Sequence, residues 1–310
     1  MSSQSPTVLF DLPISTGGNV VGTQPAPKVY LLTFTSPPDN RLTTAFCQAM
    51  ILALDIISTK YEPGVVITTS GIGKFYSNGL DLQHANSTPG FWNDSLYALW
   101  RKLLIALRQH GATRDAMPDT LCNTSSRNEL EKADIVDDCS YPMPTIALVN
   151  GHAFAGAVML IMMHDYRIMN PAKGFICLNE LDLGAPLRPA MTSVFREKCN
   201  KALYQKLILL AHRFNAKEAL ETGLVTRLGG LDEALALTSE LALVKRGAPG
   251  LSGKSTYWIL KREMWRDTVA YLEGAGDEAA RDAALQTSRQ NDHEEALRRV
   301  EQWQTLKSKL

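Results

Sequence analysis

The amino-acid sequence predicts an α/β core followed by a helical subdomain. Short runs rich in β-branched residues alternate with helical runs up to about residue 190, and beyond Pro189 the pattern is mostly helical. Alternating strands and helices favour an α/β fold, and a run of helices at the end of the sequence favours a separate helical subdomain. A chain of 310 residues has room for both. We therefore predict a core over residues 1–200 and a helical subdomain over residues 201–310.

The N-terminal elements follow from alternation and from helical period. Thr7–Leu12 and Lys28–Thr35 read as two strands joined by a Gly- and Pro-rich connection, which predicts a hairpin. Apolar residues then recur at helical spacing over Thr43–Thr59, where either Thr43 or Asn40 suits the cap position. We therefore expect a hairpin followed by one long helix.

The middle of the chain alternates regular and irregular segments. The β-branched run Gly64–Thr69 predicts a buried parallel strand, and a loop of turn residues follows over 70–82. Trp92–Gln109 has helical spacing. Residues 110–141 are polar and lack a sustained period, which predicts an excursion over the surface with one short helix near Glu129–Ala133.

Residues 145–184 carry the strongest chemical signal. A buried strand over Thr145–Val149 leads through the small residues Asn150–Ala155 into an apolar helical run that ends at Met163. Small residues at a helix entrance let a ligand approach backbone N–H groups that have no intrahelical partner. The carboxylate of Glu180 follows amid apolar neighbours and suits proton transfer on the same ligand, although a surface position at a strand end fits it equally well. The segment favours chemistry next to a carbonyl group.

In the C-terminal part, apolar residues recur at helical spacing in six successive segments. The predicted helices are Lys201–His212, Ala216–Glu221, Leu231–Lys245, Lys254–Leu272, Asp277–Gln290 and His293–Lys307.

Composition excludes several classes of function. Lys plus Arg equals Asp plus Glu, at 32 each, so no net field favours nucleic acid or an anionic membrane. No apolar run reaches the roughly 18 residues of a membrane-spanning helix. Five widely spaced cysteines without a CxxC pair indicate reduced thiols, and His152, His164 and Asp165 lack metal-ligand spacing. We therefore expect no metal site.

The last three residues, Ser308-Lys309-Leu310, match the targeting signal that the peroxisomal import receptor recognises. They predict a location in the peroxisome.

Three ordered segments carry a family resemblance. They are GKFYSNGLD at 73–81, PTIALVNGHAFAG at 144–156 and LNELDLG at 178–184. Together they resemble the crotonase (enoyl-CoA hydratase/isomerase) superfamily and, within it, the peroxisomal type of Δ3,Δ2-enoyl-CoA isomerase. The likeness runs from about residue 28 to 307, interrupted at 110–141. It implies a crotonase-like ββα spiral core with a helical C-terminal subdomain used for oligomerisation.

The resemblance also assigns roles. It implies that the amides of Leu80 and Gly156 form an oxyanion hole and that Glu180 is the catalytic base. The first of the two glutamates of the family's hydratases falls on Met159, and a thioether does no acid–base work. The further acid of the dienoyl isomerases falls on Arg188. One base and two backbone donors suit a 1,3 proton shift that moves a 3-cis or 3-trans double bond to 2-trans.

The remaining implied features concern the substrate and the assembly. The resemblance implies no permanently bound cofactor, with coenzyme A entering as part of the substrate, and a homotrimer or hexamer in the peroxisomal matrix. Lys261 and Arg262 are guesses for the nucleotide end of coenzyme A. Two alternatives stay open: another acyl-CoA reaction (hydratase, hydrolase or biosynthetic step), and a catalytically silent scaffold subunit. The residues expected to line the substrate site are Ser77, Asn78, Gly79, Asp81, Phe154, Met159 and Leu183.

Overall fold

Two sheets organise the molecule. The computed structural model describes residues 7–105, 143–248, 256–274 and 278–307. The strands are β1 Thr7–Pro13, β2 Asn19–Ala26, β3 Val29–Thr35, β4 Val65–Ser70, β5 Phe75–Ser77, β6 Thr145–Val149, β7 His152–Phe154, β8 Tyr166–Met169, β9 Ile176–Cys177 and β10 Arg227–Leu228. In the described residues the larger sheet has the order β1-β2-β3-β4-β6-β8-β10 and the smaller sheet the order β5-β7-β9.

The larger sheet changes from antiparallel to parallel at β3. The pairs β1–β2 and β2–β3 are antiparallel, whereas β3–β4, β4–β6, β6–β8 and β8–β10 are parallel. The predicted parallel strand over Gly64–Thr69 is thus confirmed as β4. The predicted hairpin was wrong in one respect, because the Gly- and Pro-rich connection contains β2. Its Gly22 lies against the ring of Phe10, where an added methyl group would meet Phe10 Cζ at 2.5 Å.

The small sheet grows from a repeated unit of strand, strand and helix. The strands β4, β6 and β8 each lead through a short turn into β5, β7 and β9, and each of these precedes a helix. The β5–β7 and β7–β9 pairs are both parallel. This repetition is the spiral ββα core that the family resemblance predicted.

The described helices pack around these sheets. The first, α1, is capped by the Thr43 side chain, which accepts from the N–H of Phe46 at 3.3 Å. The predicted Trp92–Gln109 helix is, as far as it is described, a π-helix over Phe91–Tyr97 followed by an α-helix over Ala98–Ile105. The helices are α1 Thr44–Lys60, α2 Leu82–Ser87, α3 Ala98–Ile105, α4 Gly156–Met162, α5 Pro189–Lys198, α6 Lys201–Leu210, α7 Ala216–Glu221, α8 Leu231–Glu240, α9 Leu243–Arg246, α10 Thr256–Met264, α11 Arg266–Leu272 and α12 Glu278–Lys307.

Three C-terminal predictions need correction. The helix predicted over Leu231–Lys245 breaks into α8 and α9 at Ala242, which has a left-handed φ of 49°. Lys254–Leu272 divides at Trp265 into α10 and α11, and the two last predicted helices form one continuous α12. The C-terminal part also supplies β10 to the larger sheet. The division at residue 200 stays a prediction, and 110–141 and Ser308-Lys309-Leu310 lie outside the described residues.

The central strands β4 and β6 of the larger sheet are buried on both faces. On β6, Ala147 and Val149 belong to the main core, whereas Ile146 and Leu148 face a second cluster that includes Leu237 of α8. A strand covered on both sides has no polar alternation, which explains its uninterrupted apolar run. Among the described residues, no helix has the length and apolarity needed to cross a bilayer.

Candidate active site

The three chemically interesting groups follow the three strands of the small sheet. Leu80 is the third residue after β5, Gly156 the second after β7, and Glu180 the third after β9. Adjacent parallel strands lie about 4.8 Å apart and end at the same edge of their sheet. The topology therefore brings the groups of three distant sequence segments to one edge.

The first two loops touch through their backbones. A methyl group added at Gly79 would lie 2.6 Å from the Phe154 carbonyl oxygen and 3.0 Å from the Gly156 nitrogen. One added at Gly156 would lie 2.9 Å from Leu80 Cγ and 3.4 Å from the Leu80 nitrogen. Glycine is required at position 79 for a second reason, since its φ is +82°.

The two backbone amides are available to a ligand. Within the described part of the chain, no protein acceptor lies within hydrogen-bonding geometry of the N–H of Leu80 or Gly156. Gly156 is the first residue of α4, where N–H groups have no intrahelical partner. Both residues are buried. Two free N–H groups in adjoining loops can stabilise negative charge on one oxygen.

Backbone strain marks the entrance to α4. Ala155 has φ 52° and ψ −127°, a conformation that residues with a side chain rarely adopt. Its N–H donates to the Cys177 carbonyl oxygen at 2.9 Å, and its own carbonyl oxygen accepts from the N–H of Val158 at 2.8 Å. These bonds hold the strained turn between β9 and α4, and strain of this kind clusters at functional sites.

Glu180 is buried without a full set of hydrogen bonds. Glu180 is 7% exposed, and its Oε2 has no hydrogen-bond partner among the described residues. Burial raises the pKa of Glu180 to about 7, and a hydrogen bond from its own backbone N–H opposes that rise in pKa. A carboxyl group with a pKa near neutrality can both accept and return a proton. This favours the interpretation of Glu180 as a site residue rather than a surface one.

The positions of the family's other acids hold different chemistry. Met159 is fully buried in α4. The guanidinium of Arg188 lies 4.1 Å from the ring centroid of Trp92, which ties the segment after Glu180 to the π-helix. Neither position provides a second carboxylate beside Glu180.

Several predicted substrate-lining side chains are already bonded within the protein. Ser77 Oγ donates to the Asn40 carbonyl oxygen at 2.7 Å, and Asn78 Nδ2 donates to Asp39 Oδ2 at 2.6 Å. Asp81 caps α2 by accepting from the N–H of His84 at 2.9 Å. These contacts shape the Leu80 loop, and direct substrate binding by Ser77, Asn78, Gly79 or Asp81 stays a prediction.

The predicted apolar lining lies at two places. Phe154 is partly buried, with its ring centroid 5.0 Å from that of His152. Leu183 is 54% exposed, and so is its neighbour Leu181 at 55%. Exposed leucines beside a buried carboxylate suit an apolar ligand. Substrate lining by Phe154, Met159 and Leu183 stays a prediction.

Lys261 and Arg262 are both paired. The Lys261 side chain is 5% exposed, and its Nζ lies 2.8 Å from Asp165 Oδ2. Arg262 pairs with Glu273 at 3.1 Å. This geometry gives no support to a contact between Lys261 and a phosphate, and binding of the nucleotide end of coenzyme A by either residue stays a prediction.

Sequence reasoning missed the segment that holds the first loop. Residues 39–42 make backbone and side-chain hydrogen bonds to residues 76–80. The helical period after Asn40 suggests only a helix cap at this residue. The positive φ of Asn40, 55°, is common for asparagine in turns, so the PDN turn was the available signal.

Comparison with known proteins identifies the family. The family model described as enoyl-CoA hydratase/isomerase matches residues 116–299, more than half of the chain. The chain is 27% identical to Arabidopsis thaliana peroxisomal enoyl-CoA delta isomerase 1 over 255 residues, covering 80% of this chain and 90% of the relative. It is 28% identical over 249 residues to a probable enoyl-CoA hydratase of Bacillus subtilis, covering 80% and 82%.

Solved structures show the same architecture. An enoyl-CoA isomerase from Mycobacterium tuberculosis in its apo form superposes with a TM-score of 0.60 at 20% identity, covering 83% of this chain and 95% of that one. At that identity the likeness shows the fold. The spiral core, the three loops at one edge of the small sheet and the match to the family model lead to one conclusion: the chain belongs to the enoyl-CoA hydratase/isomerase family.

Proposed function

We propose that this protein is a Δ3,Δ2-enoyl-CoA isomerase of unsaturated fatty acid β-oxidation. The observation that carries the proposal is that one buried carboxylate, that of Glu180, lies at the same edge of the small sheet as two backbone amides that have no protein acceptor among the described residues. Met159 occupies the position at which the family's hydratases have a second acid. The similarity to enoyl-CoA isomerases and hydratases supports an enoyl-CoA thioester as substrate.

In the proposed reaction the two amides bind the thioester oxygen, and Glu180 first removes a proton from the substrate and then returns it. The thioester oxygen of a 3-enoyl-CoA accepts hydrogen bonds from the N–H groups of Leu80 and Gly156. The Glu180 carboxylate removes a C2 proton, and the electron pair moves onto the thioester oxygen to give a dienolate. The protonated Glu180 then delivers the proton to C4 as the electrons return, which leaves the double bond between C2 and C3 in the trans form.

Water addition is the second candidate, because a probable hydratase is among the similar proteins. Hydration needs a group that activates water and a group that protonates the adjacent carbon. In the family's two-glutamate arrangement Met159 takes the place of one of them, and a buried thioether transfers no proton. The residues at the site therefore favour isomerisation.

The test measures both reactions on the same protein. Purified enzyme is incubated with 3-cis- and 3-trans-enoyl-CoA of several chain lengths, and with 2-trans-enoyl-CoA, while the conjugated thioester absorbance is followed. We expect isomerisation by the wild type and a kcat at least about 100-fold lower in Glu180→Gln, since general base catalysis contributes roughly that much or more.

The matched control is Asp182→Asn, which changes an exposed carboxylate in the same turn. We expect Asp182→Asn to keep the wild-type kcat. Isomerisation that survives in Glu180→Gln, or that is absent from the wild type, contradicts the proposal. Hydration of 2-trans-enoyl-CoA at a comparable rate supports the second candidate, and inactivity on every thioester supports a silent subunit.

The location and assembly are part of the same proposal. We propose a peroxisomal homotrimer or hexamer whose import depends on the Ser308-Lys309-Leu310 tripeptide. Two of the similar Arabidopsis proteins are named as peroxisomal, which supports this location. Deleting the tripeptide from a fluorescently tagged chain is expected to move it out of peroxisomes, and light scattering of the purified protein gives the copy number.

A further inference from the structure

A short segment before α1 runs alongside the loop that carries Leu80. Leu42 and Leu80 form an isolated parallel bridge. Next to it, the Asn40 carbonyl oxygen accepts from Ser77 Oγ at 2.7 Å, and Asn40 Nδ2 donates to the Tyr76 carbonyl oxygen at 3.0 Å. The loop therefore takes its path from the segment 39–42.

The first important contact orients the peptide plane that contains the Leu80 N–H. The N–H of Leu42 donates to the Gly79 carbonyl oxygen at 2.9 Å. The Gly79 carbonyl and the Leu80 N–H belong to one planar peptide group, and in the trans form they point in opposite directions. Holding the Gly79 carbonyl toward Leu42 therefore turns the Leu80 N–H away from it.

The second contact orients the next peptide plane. Arg41 Nη1 donates to the Leu80 carbonyl oxygen at 3.0 Å. The guanidinium is itself held, because Arg41 Nε lies 3.1 Å from Asp39 Oδ2. Asp39 also accepts from Asn78 Nδ2 at 2.6 Å, and its carbonyl oxygen accepts from the N–H of Asn78 at 2.9 Å. Both peptide planes that flank Leu80 are thus anchored from the same segment.

An anchor matters here because the residue before Leu80 is a glycine, which restricts the backbone less than any other residue. A glycine at φ +82° has several accessible conformations, and rotation of the Gly79–Leu80 peptide would replace the N–H with a carbonyl oxygen. A carbonyl oxygen facing the substrate would repel the developing negative charge that an N–H stabilises.

We propose that Arg41, held by Asp39, is a positioning residue for the oxyanion hole: by fixing the peptide plane that follows Leu80, it helps the Leu42 contact keep the Leu80 N–H directed at the thioester oxygen. The inference rests on the proposed function, which gives the Leu80 amide its role. Arginine suits the task because its rigid, planar fork presents donors in fixed directions to a carboxylate and to a carbonyl oxygen, whereas the ammonium of lysine is a point charge on a flexible stem.

The test separates positioning from folding. Arg41→Ala and Arg41→Lys are compared with the wild type by kcat, KM, melting temperature and the absorbance of bound 2-trans,4-trans-dienoyl-CoA. The band of this conjugated thioester moves to longer wavelength when its carbonyl oxygen accepts hydrogen bonds. Arg227→Ala, which breaks a surface pair with Glu240, is the matched control.

We expect Arg41→Ala to lower kcat by about 10- to 100-fold with little change in KM, since a small misplacement of a catalytic group costs up to that much. The band shift of the bound dienoyl thioester should shrink in Arg41→Ala, shrink less in Arg41→Lys and stay full in Arg227→Ala. A full band shift and wild-type kcat in Arg41→Ala overturn the inference. So does a loss of activity that only follows the loss of folded protein.

The proposed function and this inference fail in different ways. If the wild type isomerises no 3-enoyl-CoA, the proposed function is wrong. The band shift still reports hydrogen bonding to the bound thioester, so its dependence on Arg41 is decided without turnover.

Discussion

At the scale of single residues, Glu180 combines burial with an unbonded oxygen. Its pKa of about 7 leaves roughly half of the molecules with the ionised base at neutral pH. Because the ionised form starts the proposed reaction, we expect kcat/KM to rise about tenfold per pH unit below the pKa and to level off above it. A pH profile of 3-enoyl-CoA isomerisation between pH 5 and 9 measures this. A flat profile across pH 5 to 8 contradicts the assignment.

The raised pKa of Glu180 also predicts a cost in stability. The carboxyl titrates near 4.5 when unfolded and near 7 when folded, so the folded state binds more protons between these values. Stability contributed by this group therefore falls as pH rises from about 4.5 to about 7. We expect Glu180→Gln, which has no charge to bury, to be more stable than the wild type at pH 8 by about 3 kcal/mol and to lose that advantage near pH 4.

Urea unfolding of both proteins at pH 4, 6 and 8 checks this expectation. The exposed carboxylate Glu240, which pairs with Arg227, provides the control, and Glu240→Gln should gain no stability at pH 8. Equal unfolding free energies for Glu180→Gln and wild type at pH 8 would show that the Glu180 carboxyl is not desolvated.

At the scale of elements, the contact between two loops decides the spacing of the amides. We expect Gly79→Ala to lower kcat/KM by at least about 100-fold, the loss that follows removal of one oxyanion donor. The reason is double: φ is +82°, and the new methyl group would meet the Phe154 carbonyl oxygen at 2.6 Å. The glycine at position 73 has open space around it and an ordinary φ, so Gly73→Ala should keep wild-type kinetics.

Helices and strands were predicted correctly where the apolar residues had a clear period over a long enough segment. The α1 helix with its Thr43 cap and the strands β4 and β6 were predicted to within a residue or two. It failed where tertiary contacts decide: β2 contains a glycine that makes room for the Phe10 ring. The strands of the small sheet have two or three residues each, too few for alternation to show.

At the scale of the whole molecule, a buried ion pair joins the C-terminal helices to the core. Asp165 lies just before β8 and accepts from Lys261 of α10 and from the N–H of Thr145 on β6, at 2.8 and 2.9 Å. We expect Asp165→Asn to lower the unfolding free energy by about 3–5 kcal/mol, because the Lys261 charge is left buried without a partner. Adding Lys261→Met should recover much of that loss.

Chemical denaturation of the two single variants and the double variant measures the effect. The exposed pair Arg227–Glu240 is the comparison, and breaking it should cost far less, because water screens the two charges. A loss in Asp165→Asn as small as that of the surface pair would contradict the prediction. The sequence could not predict the Asp165–Lys261 pair, because residues 165 and 261 are brought together only by the fold. The sequence-based suggestion that Lys261 contacts coenzyme A was made without knowledge of this partner.

The candidate site could be proposed from the sequence because each of its groups lies in a local pattern. GKFYSNGLD, NGHAFAG and LNELDLG are contiguous, so the resemblance assigned Leu80, Gly156 and Glu180 without the fold. The role that we propose for Arg41 could not be assigned in this way, because it depends on a carbonyl oxygen 39 positions along the chain.

The parallel pairing of β5, β7 and β9 has a consequence for how such an enzyme can diversify. Backbone hydrogen bonds, which depend little on side-chain identity, set the distances among the three loop ends. Apolar substitutions of similar size within these strands should therefore leave the spacing of the loop ends unchanged. A different side chain at position 180, just beyond β9, or at position 159, within α4, would change the chemistry open to the candidate site and leave the rest of the architecture in place.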